Sequence, residues 1–418
     1  MKREIIAPNV YLTQLPNEKF KQNRLTVSMI VPNDKDKATM YAILPGLMER
    51  AYEDYPTMRE FSRKLNKMYA ASLSVSSTVI GANRCIRFTI QGIKNEYCIE
   101  EGEDLLSELC DVLIGVILKP CLEEGSFVRE WLEVEKFKLR EEIEGQVNDK
   151  RSYCIKNARK LFFKDSPNGV DRLGYPDEID TITSENLYAC YKQLLDRARI
   201  EIFITANNRD TAIAKMKTAF SYERKADAEI LPIIVEPCLS RPEEFTEHMD
   251  TVQGKICLLY TTQRQLTEEE RYHMLVAGAL FGGTASSRLF KNVREKQSLC
   301  YYCAAGFNGF TSCMSVDSGV EHQNAQKTVR AIQYELKNTI ENEIPQREID
   351  ETKLTIKTSL QSNYDGLYGL EAWYLNEAIR GTLLTPEYVM EQVEKVTADD
   401  IRNVLKLLNL NVIYAISK

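Results

Sequence analysis

The stretch Asp180–Asn207, DTITSENLYACYKQLLDRARIEIFITAN, returns in altered form at the end of the chain as Glu394–Lys418, EKVTADDIRNVLKLLNLNVIYAISK. In each copy a threonine, Thr183 or Thr397, stands at the spacing of a helix N-cap with acidic residues just after it. A hydroxyl there accepts from the first free amides of a helix, and nearby carboxylates suit the positive end of its dipole. An amphipathic segment follows, and each copy closes on alternating residues: Ile200, Ile202 and Ile204 in the first, Val412, Tyr414 and Ile416 in the second. That alternation predicts a half-buried strand after each helix. A repeat whose period is near half the chain implies two similar domains.

The flanking segments fit the same duplication. A first domain is expected over residues 1–225, a connector over 226–250 and a second domain over 251–418. Pro232, Pro237 and Pro242 favour extended or turn conformations in the connector. In the first domain RLTVSMIVP (24–32) and CIRFTIQGI (85–93) have strand composition, and Phe61, Leu65 and Met68 share a helical face before a Ser/Val strand. Acid-rich 121–163 predicts one or two long helices, broken at KDSPNG (164–169). In the second domain GKICLLYTT (254–262) alternates Ile256, Leu258 and Tyr260 on one strand face; two helical segments and a return to strand at 301–316 follow. Such a mixture, without regular strand–helix–strand alternation, predicts an α+β fold built twice, each copy an antiparallel-rich mixed sheet with helices packed on one face.

Composition narrows the function. The 418 residues carry 54 Lys+Arg against 61 Asp+Glu, a net charge of −7, and no long basic block, which argues against nucleic acid as a partner. Eleven cysteines, an odd number at irregular spacing, do not form a secreted disulfide framework. No run of 18 apolar residues occurs, so no membrane span is expected, and the chain reads as cytoplasmic.

Catalytic residue types are sparse. The only histidines are His248, His273 and His322, and none lies in HExxH or HxxEH spacing. Cys300-x-x-Cys303 lies in strand-like sequence, where a spacing of three directs the thiols to opposite faces. Glu135 and Glu142, seven apart, share one helical face, as they would on any solvated acidic helix. No GxGxxG, GxxxxGKS or GxSxG is present, so phosphate cradling and a nucleophile elbow are unsupported. Arg288, Lys291, Arg294 and Lys296 interrupt a helical pattern ahead of Tyr301; Arg294 offers a planar fork suited to a carboxylate or carbonyl, and a basic solvent face is the bland alternative.

GGTASSRLFKNVREKQSLCYY (282–302) resembles the segment GG(S/T)xSSRLFxxVREKxGLxY in the second domain of pitrilysin/insulinase-like zinc peptidases, the group that includes mitochondrial processing peptidase; Ser298 departs from the family glycine. The resemblance implies two homologous domains forming half of a clamshell that encloses peptides. Active members bind zinc through HxxEH in the first domain and a distal glutamate. Here that motif falls on Ala42, Pro45 and Gly46, which supply neither ligand nor base, while Glu142 stands at the distal ligand position with Glu135 seven residues before it. The resemblance therefore implies a bacterial member without catalytic residues, metal or cofactor. Its expected role is the zinc-less subunit of a heterodimer with an HxxEH-bearing homologue, or a homodimer, in which Arg294 and Tyr301 match residues that hold the peptide backbone. A scaffold protein of the same fold and a peptidase of altered chemistry using Cys300 or Cys303 are the alternatives.

Overall fold

The computed structural model describes residues 1–418. Its strands are β1 (Lys2–Ala7), β2 (Val10–Leu15), β3 (Gln22–Pro32), β4 (Ser72–Ile80), β5 (Asn83–Ile93), the small hairpin β6 (Leu122–Glu123) and β7 (Ser126–Phe127), β8 (Arg199–Thr205), β9 (Glu243–His248), β10 (Gly254–Thr262), β11 (Cys300–Asn308), β12 (Cys313–Val320) and β13 (Leu408–Ser417). The helices, in chain order, are α1 (Lys35–Met48), α2 (Met58–Lys67), α3 (Leu105–Leu118), α4 (Arg129–Gly145), α5 (Lys150–Phe163), α6 (Ser184–Arg197), α7 (Asp210–Ala219), α8 (Glu268–Gly278), α9 (Ala325–Glu341), α10 (Gln346–Gln361), α11 (Leu367–Arg380), α12 (Pro386–Lys395) and α13 (Ala398–Leu405). None is long and apolar enough to cross a membrane.

The chain forms two compact units. One comprises Met1–Glu144, Val170–Leu231 and Gly366–Ile379; the other comprises Gly145–Gly169, Pro232–Asp365 and Arg380–Lys418. The first unit holds a six-stranded sheet in the order β1-β2-β8-β3-β5-β4. All its neighbours are antiparallel except β2 and β8. The second unit holds a five-stranded sheet in the order β11-β12-β10-β13-β9, antiparallel except for β9 beside β13. Read from its other edge, this is the order β2-β8-β3-β5-β4 again, with the parallel pair in the same place. Each sheet thus receives a parallel strand after a helix with a threonine cap. Thr183 and Asn186 form a reciprocal capping box before α6, and Thr397 and Asp400 form one before α13. The fold is α+β and mixed-sheet, built twice.

In the first unit one sheet face buries Leu25, Val27 and Met29 of β3 with Ile86, Phe88 and Ile90 of β5 against apolar residues of α1, α3 and α6. The opposite face is polar and is covered by a helix from late in the chain. Glu371 of α11, only 3% exposed, accepts from Arg24 Nε, Thr26 Oγ1 and Thr205 Oγ1 at 2.8, 2.8 and 2.7 Å. The second unit receives a helix from early in the chain: Cys154, Ala158, Phe162 and Phe163 of α5 pack on Cys257, Leu259, Cys313, Val412 and Tyr414. Each sheet therefore carries helices on one face and one further helix, drawn from the other half of the chain, on the second face. This corrects the expectation of a half-buried strand at β8: every residue from Ile200 to Thr205 is buried, because α11 covers the side that alternation left for solvent.

Candidate functional site

Ala42, Pro45 and Gly46, the residues that the resemblance sets at the zinc motif, lie in the last turns of α1. Asp34 caps this helix through the Asp36 amide, and Tyr41, Ile43, Leu44, Leu47 and Met48 turn into the core. Ala42, Pro45 and Gly46 occupy the remaining, half-buried stripe. Pro45 has no amide to donate to the carbonyl one turn back.

Glu135 of α4 lies directly over Gly46. A Cβ on residue 46 would stand 1.9 Å from Glu135 Oε2 and 2.4 Å from Cδ, so only glycine leaves room for this carboxylate. Arg50, one turn beyond Gly46, donates to Glu135 Oε1 through Nη2 at 2.6 Å and Nε at 3.2 Å, and Lys138 Nζ reaches the same oxygen at 2.9 Å. The Glu135 and Arg50 side chains are only 9% and 13% exposed, and the guanidinium sits 6.0 Å from the Trp131 ring. Glu49 alongside accepts from the Val75 amide; burial pushes its carboxyl above the usual range, and the negative charge of Glu135 adds to the shift.

A catalytic zinc requires several protein ligands around an open position. The residues at this site do not fit one. Ala42 and Gly46 have no donor atoms, the space a residue-46 side chain would enter holds Glu135, and that carboxylate is engaged by two cations. Glu142 is half exposed and bonds Arg172 Nη2 at 2.8 Å, so of the pair Glu135 and Glu142 on α4 it is Glu135 that meets α1. No group of three His, Cys, Asp or Glu side chains anywhere in the chain has a metal-holding arrangement.

The long polar motif of the second unit begins where α8 runs on through a wide helical turn, Ala279–Gly283, and continues as a similar segment, Leu289–Lys296. Ser287 and Leu289 are buried, and so is Arg288, whose Nε bonds Glu348 of α10 at 2.9 Å. Lys291 lies 3.9 Å from Glu351 of the same helix. Two of the four basic residues thus tie this segment to α10. Arg294 instead stacks over Phe290, 4.6 Å from the ring centre, and its Nε donates to the Tyr301 carbonyl at 3.3 Å. The Tyr301 side chain remains 52% exposed. Ser298 has φ of 50°, a left-handed conformation that glycine adopts freely, which accounts physically for the glycine of the resembling motif.

The relationship to known proteins follows the same residues. Residues 181–356 match the family model described as the Peptidase M16 inactive domain. Over 400 residues the chain is 27% identical to the "Probable inactive metalloprotease YmfF" of Bacillus subtilis, covering 95% of this chain and 93% of that protein. The chain is homologous to the pitrilysin/insulinase (M16) family. An "Uncharacterized zinc protease" of Rickettsia felis is 25% identical over 309 residues, 72% of each chain. A crystal structure of a conserved protein from Enterococcus faecalis superposes with a TM-score of 0.91 at 27% identity, covering 100% of this chain and 98% of that one. The peptidase M16 inactive domain from Pseudomonas fluorescens, at 14% identity, shares the fold with a TM-score of 0.77 over 98% of this chain and 95% of its own. The family-model match begins at residue 181, well after α1, and does not cover Ala42, Pro45 and Gly46.

Arg50 is the site residue that sequence reasoning missed. Its signal was its spacing: four residues after Gly46 is one helical turn, which sets a cation on the stripe the motif vacates.

Proposed function

We propose that this M16 homologue is the non-catalytic subunit of a two-chain peptidase, acting in the cytoplasm and helping an HxxEH-bearing partner to enclose and bind peptide. The observation that carries the reading is a whole-chain M16 fold whose motif helix is closed by its own Gly46, Glu135 and Arg50. Ligand loss without loss of fold leaves a protein that can bind peptide but has no means to activate water. Arg294 and Tyr301 stand side by side at the surface of the second unit, and the exposed phenol and the outer guanidinium nitrogens are donors of the kind that hold an extended backbone. Alone, the chain is not a peptidase.

Co-expression with HxxEH-bearing homologues, followed by size-exclusion chromatography and a quenched-peptide assay, tests this reading. A complex of about twice the monomer mass, hydrolysing peptide only when both chains are present, is the expected result. A chain that stays monomeric with every such homologue and is silent in every mixture contradicts it; a homodimer that cleaves peptide unaided contradicts it as well.

A further inference from the structure

The cysteine pair at the start of β11 is not where its spacing predicts. The ladder between β11 and β12 shifts register between Cys300 and Tyr302, so that Cys300 faces Val320, Tyr302 faces Gly319 and Cys303 faces Ser318. Val320 and Ser318 are two positions apart on β12, and residues two apart leave a strand on the same face. The bulge therefore brings Cys300 and Cys303 onto one face, correcting the expectation of opposite faces. Two strand positions span about 6.6 Å, near the upper end of the roughly 4.4–6.8 Å Cα separation of disulfides.

The thiols differ in environment. Cys303 is 4% exposed, whereas Cys300 is half-buried within reach of the Arg294 charge. Interaction with the Cys303 thiol, opposed by burial and aided by Ser318 and Arg294, brings the Cys300 thiol down to about 7, while the same interaction together with burial drives Cys303 far up. The pair thus combines an accessible, readily ionised sulfur with a sheltered partner beside it, the arrangement of an attacking and a resolving thiol. All eleven cysteines are free, and the others with a resolved shift are raised by burial.

We propose that Cys300 and Cys303 are a reversible dithiol–disulfide site, oxidised by hydrogen peroxide across the β11 bulge. The Cys300 thiolate attacks one peroxide oxygen; the O–O bond breaks, sulfur is oxidised to the sulfenic acid, and hydroxide leaves. Cys303 then attacks that sulfur, the S–S bond forms as the S–O bond breaks, and the thiol proton leaves with the hydroxide as water. Two thiols and one peroxide give one disulfide and two waters. A small dithiol reverses the step by exchange, and closing the bond near the limit of its span favours that reversal. Tyr301 is one of the two residues inside the ring that closes, so oxidation fixes the backbone whose carbonyl Arg294 holds. The site stands independently of any peptide-binding role.

The test is thiol mapping on the full native chain. After equimolar peroxide and alkylation, cleavage after Tyr301 and Tyr302 should leave the fragments bearing Cys300 and Cys303 joined, with a loss of two hydrogens, and dithiothreitol should separate them. Cys303→Ser should stop the reaction at a sulfenic acid on Cys300 that dimedone traps, and Cys300→Ser should abolish it. Wild-type protein in which both sulfurs are still alkylated after peroxide overturns the proposal, whatever the variants do. Bridging of either cysteine to Cys313 overturns it equally.

Discussion

Gly46→Ala tests the packing at the vacated motif, and its sign is expected to depend on a second residue. The new methyl carbon would stand 1.9 Å from Glu135 Oε2, so the carboxylate must swing away and lose its 2.6 Å bond to Arg50. A charge-assisted hydrogen bond between two largely buried groups contributes about 1.5–3 kcal/mol. Alanine in place of helical glycine returns about 0.5–1 kcal/mol. The net expectation is a destabilisation of about 1–2 kcal/mol. In a Glu135→Ala background the three atoms nearest the methyl group are gone, and the same substitution should stabilise by about 0.5–1 kcal/mol. Trp131 and Trp373 both belong to the first unit, so urea unfolding followed by tryptophan fluorescence reads the unit that contains the site. Equal destabilisation by Gly46→Ala with and without Glu135 would refute the argument that this carboxylate is what requires glycine.

Ser298→Gly relieves a left-handed backbone and should stabilise the chain by about 0.5–1 kcal/mol in the same denaturation experiment; no gain would show that the serine bears no strain there. Arg264 holds Glu270 down to about 2 from an ordinary 4.5, so its stabilisation is full above pH 4.5 and is lost as pH falls toward 2. Glu270→Gln should therefore cost about 1 kcal/mol near neutral pH, reduced by solvent screening, and almost nothing near pH 2; a pH-independent cost would assign it to something other than the ion pair. In a two-chain peptidase, Arg294→Ala and Tyr301→Phe should raise KM on the order of tenfold or less, with melting temperature and subunit affinity unchanged; unaltered kinetics would return both residues to structural duty.

The duplication was legible because each copy ends in the same local chemistry. A threonine cap needs only a hydroxyl at the right spacing, and Thr183 and Thr397 each make the reciprocal box. The alternating strands were legible for a similar reason, and β10 presents Ile256 and Leu258 to one side and Cys257 and Leu259 to the other. What local pattern could not contain was the covering of each sheet by a helix from the other half of the chain. Glu371 looks like one more helix-surface acid until Thr26, Thr205 and Arg24 close around it.

The candidate site divides in the same way. That Ala42, Pro45 and Gly46 offer no metal-binding side chain can be read from residue type alone, since no fold gives alanine, proline or glycine a donor atom there. The replacement could not be read. Which acid of α4 meets Gly46 depends on how α4 crosses α1, and the crossing selects Glu135 rather than Glu142. The cysteine pair failed for a different reason: a bulge inserts one residue into the count, and strand periodicity then inverts the face.

The measurement that bears most directly on the central claim is the metal content of the isolated chain. The protein should be dialysed against zinc, freed of excess metal, and assayed by elemental analysis alongside a quenched-peptide assay, as wild type and as Glu142→Gln. With Glu135 bound by Arg50 and no donor at residues 42 and 46, both proteins should retain no stoichiometric zinc and cleave no peptide. One zinc per wild-type chain, removed together with peptidase activity by a chelator, would contradict the account.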